Sequence, residues 1–218
     1  MVKIKICGIT NKEDMAYISQ KVHAVGMIID VPVETPRKIT LKKAVELKKY
    51  VYPLTSIVAV IMPKDIEEVL KVENSLKPNA IQLHGNEDIE FLKRLNDLRE
   101  DGKINSNLIK VLHIPKEDAN LSELIKTAKE YEKYCDALLV DTKIEKIKIK
   151  GKTHNWKISK TIRKSIKKPL ILAGGLNKDN VKNAIEVVKP YAIDVSSSLE
   201  SEKGKKDFKK VDEFLSSL

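Results

Sequence analysis

The chain has few of the residues that build covalent cross-links or membrane spans. Two cysteines, Cys7 and Cys135, are too few for a disulfide framework in 218 residues. No apolar run approaches the roughly 20 residues that span a bilayer. The first residues alternate in a strand-like pattern and lack the apolar core and cleavage site of a secretory signal. The sequence therefore predicts a cytoplasmic protein with no membrane partner.

Aromatic residues are also scarce, which bears on the meaning of the basic charge. The formal net charge is +10, and clustered lysines and arginines would indicate binding to nucleic acid. Here the lysines are scattered beside Glu and Asp, and only 3 Phe and 1 Trp could stack on bases. Solvated helix faces explain such a pattern, so no nucleic-acid partner is expected. A nucleic-acid-binding protein is the alternative, and a salt-dependent gel shift would favour it.

Short aliphatic segments alternate with longer amphipathic segments eight times along the chain. Such alternation predicts parallel strands joined by right-handed helical crossovers. Prolines before the aliphatic segments and glycines after them support this phasing. The predicted strands are residues 3–7, 24–29, 55–61, 80–84, 108–114, 136–141, 170–173 and 192–196, and the predicted helices are about 11–22, 40–50, 64–74, 87–98, 121–133, 156–167, 177–188 and 204–216.

Eight such units predict an α/β protein with a single (β/α)8 barrel, the TIM barrel. No linker or low-complexity stretch divides the sequence, so residues 1–218 are expected to form one domain. An open, doubly wound sheet is the alternative fold. No GxGxxG motif follows the first predicted strand, which disfavours a dinucleotide-binding version of that sheet.

In such a barrel the C-terminal ends of the strands converge on one face, where the chemistry is expected. His84 and His113 both end strands, but no carboxylate or cysteine lies at ligand-like spacing from them, so no metal site is predicted. Hydrogen bonding or core packing is the expected role of these histidines. The residues that the pattern brings to this face are Cys7, Arg37, Gln82, His84, His113, Asp141, Gly174, Gly175, Asp194 and Ser196 to Ser198.

A glycine pair follows the seventh predicted strand and indicates an anion site. Gly174 and Gly175 leave the backbone bare, and the helix predicted from Asn177 would offer free N–H groups. The serines after the eighth strand add hydroxyls, and barrels often bind phosphate in these two loops. The alternative is that the glycines only form a tight corner and the serines a helix cap.

Cys7 and Asp141 end two strands and suggest acid–base chemistry. Cys7 precedes Gly8 and a helix N-terminus, a setting that favours the thiolate, whereas an inert small hydrophobe is the alternative. Asp141 follows four apolar residues, so desolvation would keep it protonated near neutral pH, as a general acid needs. Its alternative role is a cap. Cys135 is predicted on the opposite face, on the order of 15 Å away at about 3.3 Å per strand residue, too far for a disulfide.

Five motifs occur along the chain in the order KICGIT (5–10), IQLHG (81–85), LLVD (138–141), LAGGLNKDNV (172–181) and DVSSSLES (194–201). Together they resemble a known family, the phosphoribosylanthranilate isomerases of tryptophan biosynthesis, over essentially the full length. The resemblance implies an isomerase that performs an Amadori rearrangement of N-(5'-phosphoribosyl)anthranilate without metal or organic cofactor. It also implies a small phosphorylated substrate. A monomer or a homodimer is expected.

The resemblance assigns roles to the residues of these motifs. Cys7 resembles the general base, Asp141 the general acid, and Arg37 the residue that meets the anthranilate carboxylate. Departures from the family pattern lie in the loop after the second strand, which lacks the usual aromatic residue, and in Gly151 to Trp156 after the sixth. The other residues implied to bind substrate are Gln82, His84, Gly174, Gly175, Asp194, Ser197 and Ser198.

Two other phosphate-binding barrel enzymes are the nearest alternatives. An indole-glycerol-phosphate synthase would need a catalytic lysine and glutamates at strand ends, where this chain has Cys7, Asp141 and Asp194. A ribulose-phosphate epimerase would need metal-ligating His and Asp pairs. A histidine-pathway aminoaldose as a second substrate stays open, although no aspartate replaces Cys7.

Overall fold

The structure, a computed structural model, describes residues 2–115, 120–142 and 155–218. Eight parallel strands close into a ring because the last of them pairs with the first, with Lys5 opposite Asp194. The predicted barrel is therefore confirmed, and the open doubly wound sheet is wrong. The strands of the ring are β1 (Lys3–Cys7), β2 (Ala24–Ile29), β4 (Ser56–Ile61), β5 (Ala80–Leu83), β6 (Asn107–Ile114), β7 (Ala137–Thr142), β8 (Leu170–Leu172) and β9 (Ala192–Val195).

Helices follow the barrel strands in the described part of the chain. Asparagine, aspartate or threonine side chains accept a backbone N–H in the first turn of all but α7. None of the helices among the described residues is long and apolar enough to cross a membrane. They are α1 (Lys12–Ser19), α2 (Leu41–Lys48), α3 (Ile66–Leu76), α4 (Ile89–Glu100), α5 (Leu121–Tyr131), α6 (Trp156–Ser165), α7 (Val181–Val188) and α8 (Phe208–Ser216).

Three short strands were not predicted. β3 (Lys38–Ile39) pairs with the end of β2, and β10 (Glu200–Glu202) forms a hairpin with β11 (Lys205–Lys206) after β9. The hairpin explains why α8 begins four residues later than predicted. α7 is likewise late, because Asn177 to Asn180 form a turn in which the Asn177 N–H donates to Asn180 Oδ1 at 2.9 Å.

The barrel has two apolar layers, as the alternation of side chains along each strand requires. Inside the ring, Val58, Val60, Val111, Leu139 and Ile171 are buried against one another. Between the ring and the helices lies the larger core, formed by the other face of every strand and the apolar faces of the helices. The inner layer fills the interior of the barrel beneath the C-terminal ends of the strands.

One charged pair is buried in the outer layer. Lys110 of β6 points toward the helices, where Nζ forms an ion pair with Glu87 and donates to the carbonyl oxygen of Gly85 at 2.8 Å. Both side chains are buried, and Tyr131 of α5 presents its ring to the ammonium. This pair lies between the ring and the helices and does not face the mouth of the barrel.

Candidate active site

A cavity of about 670 Å³ opens at the C-terminal ends of the barrel strands. This volume is in the range of sites that hold a small ligand. His113, predicted on the same face, does not line the cavity. The ten predicted site residues all line it: Cys7, Arg37, Gln82, His84, Asp141, Gly174, Gly175, Asp194, Ser197 and Ser198.

Asp141 lies at the end of β7, beside the bare backbone of Gly174. A Cβ atom on Gly174 would overlap Thr142 and come within 2.9 Å of Asp141 Oδ1, so the glycine makes room for the carboxyl group. Burial raises the pKa of Asp141 to about 7, and the negative charge of Asp194 adds to this shift. Asp141 can therefore retain its proton close to neutral pH.

Gln82 and His84 form the wall next to Asp141. The amide nitrogen of Gln82 lies 3.0 Å from Nδ1 of His84, and because an amide N–H donates, the ring proton lies on Nε2. That nitrogen is 3.7 Å from Asp141 Oδ2. Burial and the neighbouring His113 lower the pKa of His84 to about 3, so the ring is neutral at neutral pH. His113 Nε2 lies 3.1 Å from the carbonyl oxygen of His84.

Cys7 lies at the end of β1 and lines the cavity, but its protonation differs from the prediction. Burial raises the pKa of the thiol, whereas the positive charges of Lys5 and Lys206 lower it and Asp194 raises it. The predicted thiolate preference from the helix N-terminus is wrong. Burial of the sulfur outweighs the neighbouring positive charges that lower the pKa of the thiol.

Lys5 is a functional neighbour that the sequence interpretation missed. Its buried Nζ lies 2.6 Å from Asp194 Oδ2 across the seam between β1 and β9. Gly26 of β2 makes room for this group, because a Cβ there would lie 2.7 Å from Cys7 Sγ and 3.1 Å from Lys5 Nζ. The alternating pattern of KIKIC could have predicted this neighbour, since Lys3, Lys5 and Cys7 must share one face of the strand.

Arg37 reaches the mouth of the cavity as part of an ion-pair network. Its Nε and Nη2 donate to Glu200 Oε1 and Oε2 at 2.6 and 2.7 Å, so both carboxylate oxygens accept from the guanidinium. Lys206 Nζ lies 3.3 Å from Glu200 Oε1. Glu200 was not predicted. Among the described residues, the network carries one excess positive charge and leaves the Nη1 group of Arg37 without a hydrogen-bond partner. Gly8 allows this approach, because a Cβ there would lie 2.7 Å from Arg37 Cδ.

The loops after β8 and β9 form one end of the cavity. Gly174 and Gly175 have φ of 89° and 70°, which only glycine adopts readily. Ser198 Oγ donates to the carbonyl oxygen of Leu176 at 2.7 Å and holds the two loops together. The Asn177 N–H is bonded within its own turn, so the predicted free donors of a helix at this residue are wrong. The groups that remain for the predicted anion site are the loop backbone and the serines.

Two residues that line the cavity each have a buried side-chain oxygen without a hydrogen-bond partner among the described residues. Asp194 Oδ1 and Gln82 Oε1 have no hydrogen-bond partner in the ranges that the structure describes. Both residues line the cavity, so a ligand hydroxyl or amine could satisfy these acceptors. Within those ranges no group of three or more His, Cys, Asp or Glu side chains could hold a metal ion. The divergent loop residues Gly151 to His154 lie outside the described residues.

The arrangement joins a carboxylic acid, a thiol, a cationic mouth and a bare backbone loop around one small space. Such a set can move two protons on a ligand that carries negative charge at two ends. The comparisons with known proteins agree with this chemistry. The sequence profile of the N-(5'-phosphoribosyl)anthranilate isomerase family matches residues 4–217.

Relatives and solved structures resemble the whole chain. An N-(5'-phosphoribosyl)anthranilate isomerase of Methanocaldococcus jannaschii is 68% identical over 216 residues, which cover 99% of this chain and 96% of the relative. A monomeric variant of the dimeric isomerase of Thermotoga maritima is similar with a TM-score of 0.80 and 31% identity, covering 100% and 98% of the two chains. Another such isomerase, in complex with reduced 1-(o-carboxyphenylamino)-1-deoxyribulose 5-phosphate, has a TM-score of 0.80 and 30% identity with the same coverage.

Proposed function

The chain belongs to the N-(5'-phosphoribosyl)anthranilate isomerase family, and we propose that Asp141 and Cys7 are the acid and the base of its reaction. The reaction is the Amadori rearrangement of N-(5'-phosphoribosyl)anthranilate to 1-(2-carboxyphenylamino)-1-deoxyribulose 5-phosphate in tryptophan biosynthesis. The observation that carries the proposal is that a carboxyl group with a pKa of about 7 shares one cavity with the Cys7 thiol.

Asp141 begins the reaction as the general acid. It gives its proton to the ring oxygen of the ribose, the bond from that oxygen to C1' breaks, and the nitrogen lone pair forms the C=N bond of a Schiff base. The proton is available because burial holds the pKa of Asp141 close to neutral pH. The neutral His84 ring, 3.7 Å from Oδ2, adds no competing charge at that pH.

Cys7 completes the rearrangement as the general base. Its thiolate removes the proton from C2', and the electron pair of that C–H bond moves through C1' to neutralise the Schiff-base nitrogen. The resulting enolamine tautomerises to the ketone. A positioned acid or base contributes roughly 100- to 10,000-fold each to the rate of such steps.

Two anchors orient the substrate between these groups. The phosphate binds the loop backbone at Gly174 and Gly175 with Ser197 and Ser198, which line one end of the cavity. The anthranilate carboxylate binds Nη1 of Arg37, whose other nitrogens are held by the Glu200 carboxylate. Gln82, His84 and Asp194 contact the sugar and linking nitrogen, where Gln82 Oε1 and Asp194 Oδ1 lack protein partners in the described part of the chain.

At any pH, only a minority of the molecules have both Asp141 and Cys7 in the protonation states that the reaction requires. Asp141 must be protonated although its pKa is about 7, and Cys7 must be ionised although burial raises its pKa above the ordinary value for a thiol. The reactive form is thus the reverse of the more populated one, in which the acid is ionised and the thiol is neutral. Any group that favours the thiolate therefore increases the active fraction.

Two substitutions test the assignment by fluorescence, through the consumption of freshly generated N-(5'-phosphoribosyl)anthranilate. Cys7→Ser should abolish most turnover and leave binding of a reduced product analogue nearly intact, because a hydroxyl is far too weak a base. Asp141→Asn should prevent ring opening, with a loss of at least about 100-fold. Cys135→Ser, at a buried cysteine away from the cavity, is the control and should keep its kcat. A near-normal kcat in Cys7→Ser would refute the base.

We also propose a cytoplasmic location and assembly no larger than a homodimer. Both cysteines are free, as in a reducing compartment. Light scattering during gel filtration should give the mass of one chain, 24.7 kDa, or twice that mass. A larger mass, or recovery of the native protein in the membrane fraction of its source cell, would contradict this proposal.

A further inference from the structure

Cys7 lies beside an ammonium group that does not line the cavity. Lys5 is buried, and its side chain lies under Cys7 on the same face of β1, outside the lining of the cavity. Cys7 Sγ and Lys5 Nζ lie 2.7 and 3.1 Å from one point, the position that a Cβ of Gly26 would occupy. The backbone of Gly26 thus leaves a void that these two polar atoms fill.

The ammonium is held at this point by a partner on the neighbouring strand. The register places Lys5 opposite Asp194, and Oδ2 of that carboxylate accepts from Nζ at 2.6 Å. A charged lysine this deeply buried requires such a partner. The ammonium also interacts with the sulfur, so the pair presents its positive end to Cys7.

We propose that Lys5 is a positioning residue of the isomerisation, whose ammonium, anchored by Asp194, stabilises the minor thiolate form of Cys7 within the space left by Gly26. The inference rests on the proposed function, since it supposes that the thiolate of Cys7 is the base. Lys5 acts through Cys7 and touches neither the substrate nor the reacting carbon.

The charges around Cys7 decide the sign of the effect. Lys5 on β1 and Lys206 on β11 lower the pKa of the thiol, and Asp194 on β9 raises it. Lys206 also binds Glu200 and the carbonyl oxygen of Ser196. Burial has the largest effect on the pKa of the Cys7 thiol and raises it. Lys5 has the largest effect among the groups that lower this pKa.

The test measures the alkylation of Cys7 by iodoacetamide as a function of pH, followed by mass spectrometry of the Cys7 peptide. Lys5→Met removes the charge and keeps most of the side-chain volume. An opposite charge at this range shifts a pKa by about one to three units, so alkylation at pH 8 should slow roughly tenfold or more. Burial raises the pKa of Cys135 to about 12, and its peptide should stay unlabelled.

Lys110→Met is the matched control, because it also removes a buried strand lysine paired with a carboxylate. It should destabilise the fold to a similar degree and leave the alkylation midpoint of Cys7 unchanged. Asp194→Asn is the opposite perturbation and should speed alkylation at pH 7, because it removes the negative charge that raises the pKa of the thiol. This variant keeps the test informative if Lys5→Met does not fold.

The proposal is overturned if Lys5→Met leaves the midpoint unchanged, if Lys110→Met moves it equally, or if Asp194→Asn slows alkylation. Alkylation requires no turnover, so these outcomes are independent of the isomerase reaction. A wild-type protein that shows the predicted shifts but no consumption of N-(5'-phosphoribosyl)anthranilate would instead refute the proposed function. In an active enzyme, Lys5→Met should also lower kcat, with KM nearly constant.

Discussion

Gly26→Ala should damage catalysis more than stability. The new Cβ would lie 2.7 Å from Cys7 Sγ, and ordinary contact begins at about 3.5 Å, so the sulfur must retreat by about 1 Å. A displacement of this size can cost on the order of 100-fold in rate, or about 2.7 kcal/mol. We therefore expect kcat to fall roughly 100-fold with a small change in KM.

The effect on folding should be small because two contributions oppose each other. Alanine is better than glycine within a strand by about 0.5 to 1 kcal/mol, whereas overpacking costs about 1 to 3 kcal/mol. The free energy of unfolding should thus fall by no more than about 2.5 kcal/mol, or several degrees in Tm. Steady-state fluorescence kinetics and a thermal melt measure the two quantities.

Gly102→Ala is a control that should lower stability without affecting catalysis. This glycine has φ of 71°, and no atom of the described residues lies within 4 Å of the position that a Cβ would take, so alanine there meets backbone strain and no neighbour. It should lower stability by about 1 to 2 kcal/mol and leave kcat unchanged. If Gly26→Ala instead retains wild-type kcat, or changes KM alone, the crowding of Cys7 and Lys5 is not what the glycine relieves.

Three further outcomes follow from the site. The value of kcat/KM should rise about tenfold per pH unit up to about 7, where Asp141 loses its proton, and then level off while Cys7 continues to ionise. A value of kcat/KM that falls directly above pH 7 would contradict this order of the two pKa values. Glu200→Gln should raise KM about tenfold and change kcat little, because Arg37 loses its carboxylate support; an unchanged KM would separate that network from binding. Ser198→Ala should raise KM by up to about tenfold, and a calorimetric titration with inorganic phosphate should show the same loss of affinity.

The eight strands of the barrel could be predicted within one residue because their signal is local. Buried β-branched and aliphatic residues end abruptly at proline, glycine or a polar residue, as in the segments at 24–29 and 136–141. The closure of the ring also follows from eight repeats of one unit. The starts of α7 and α8 could not be predicted, because a turn at Asn177 and a hairpin at Glu200 occupy residues with helical character.

The cavity could be predicted by the rule that strand ends converge. The ion-pair partners of the residues around it could not be predicted. Glu200 binds Arg37 across 163 residues of chain, and Asp194 binds Lys5 across 189. Such pairs depend on the register of the closed ring, which no local pattern encodes. The protonation of Cys7 was misjudged for the same reason, since burial and buried neighbours decide it more than the next helix does.

The pairing of Lys5 with Asp194 suggests why the base is not activated more strongly. A free ammonium beside the sulfur would make the thiolate abundant, but a thiolate of low pKa is also a weaker base toward carbon. A carboxylate that takes part of the charge leaves the thiolate scarce and more basic. Asp194→Asn should therefore increase the thiolate fraction of Cys7, measured by its ultraviolet absorbance, by more than it increases the rate of proton removal from C2'. An equal gain in both would mean that basicity does not limit this step, and that Asp194 serves only to bind the substrate.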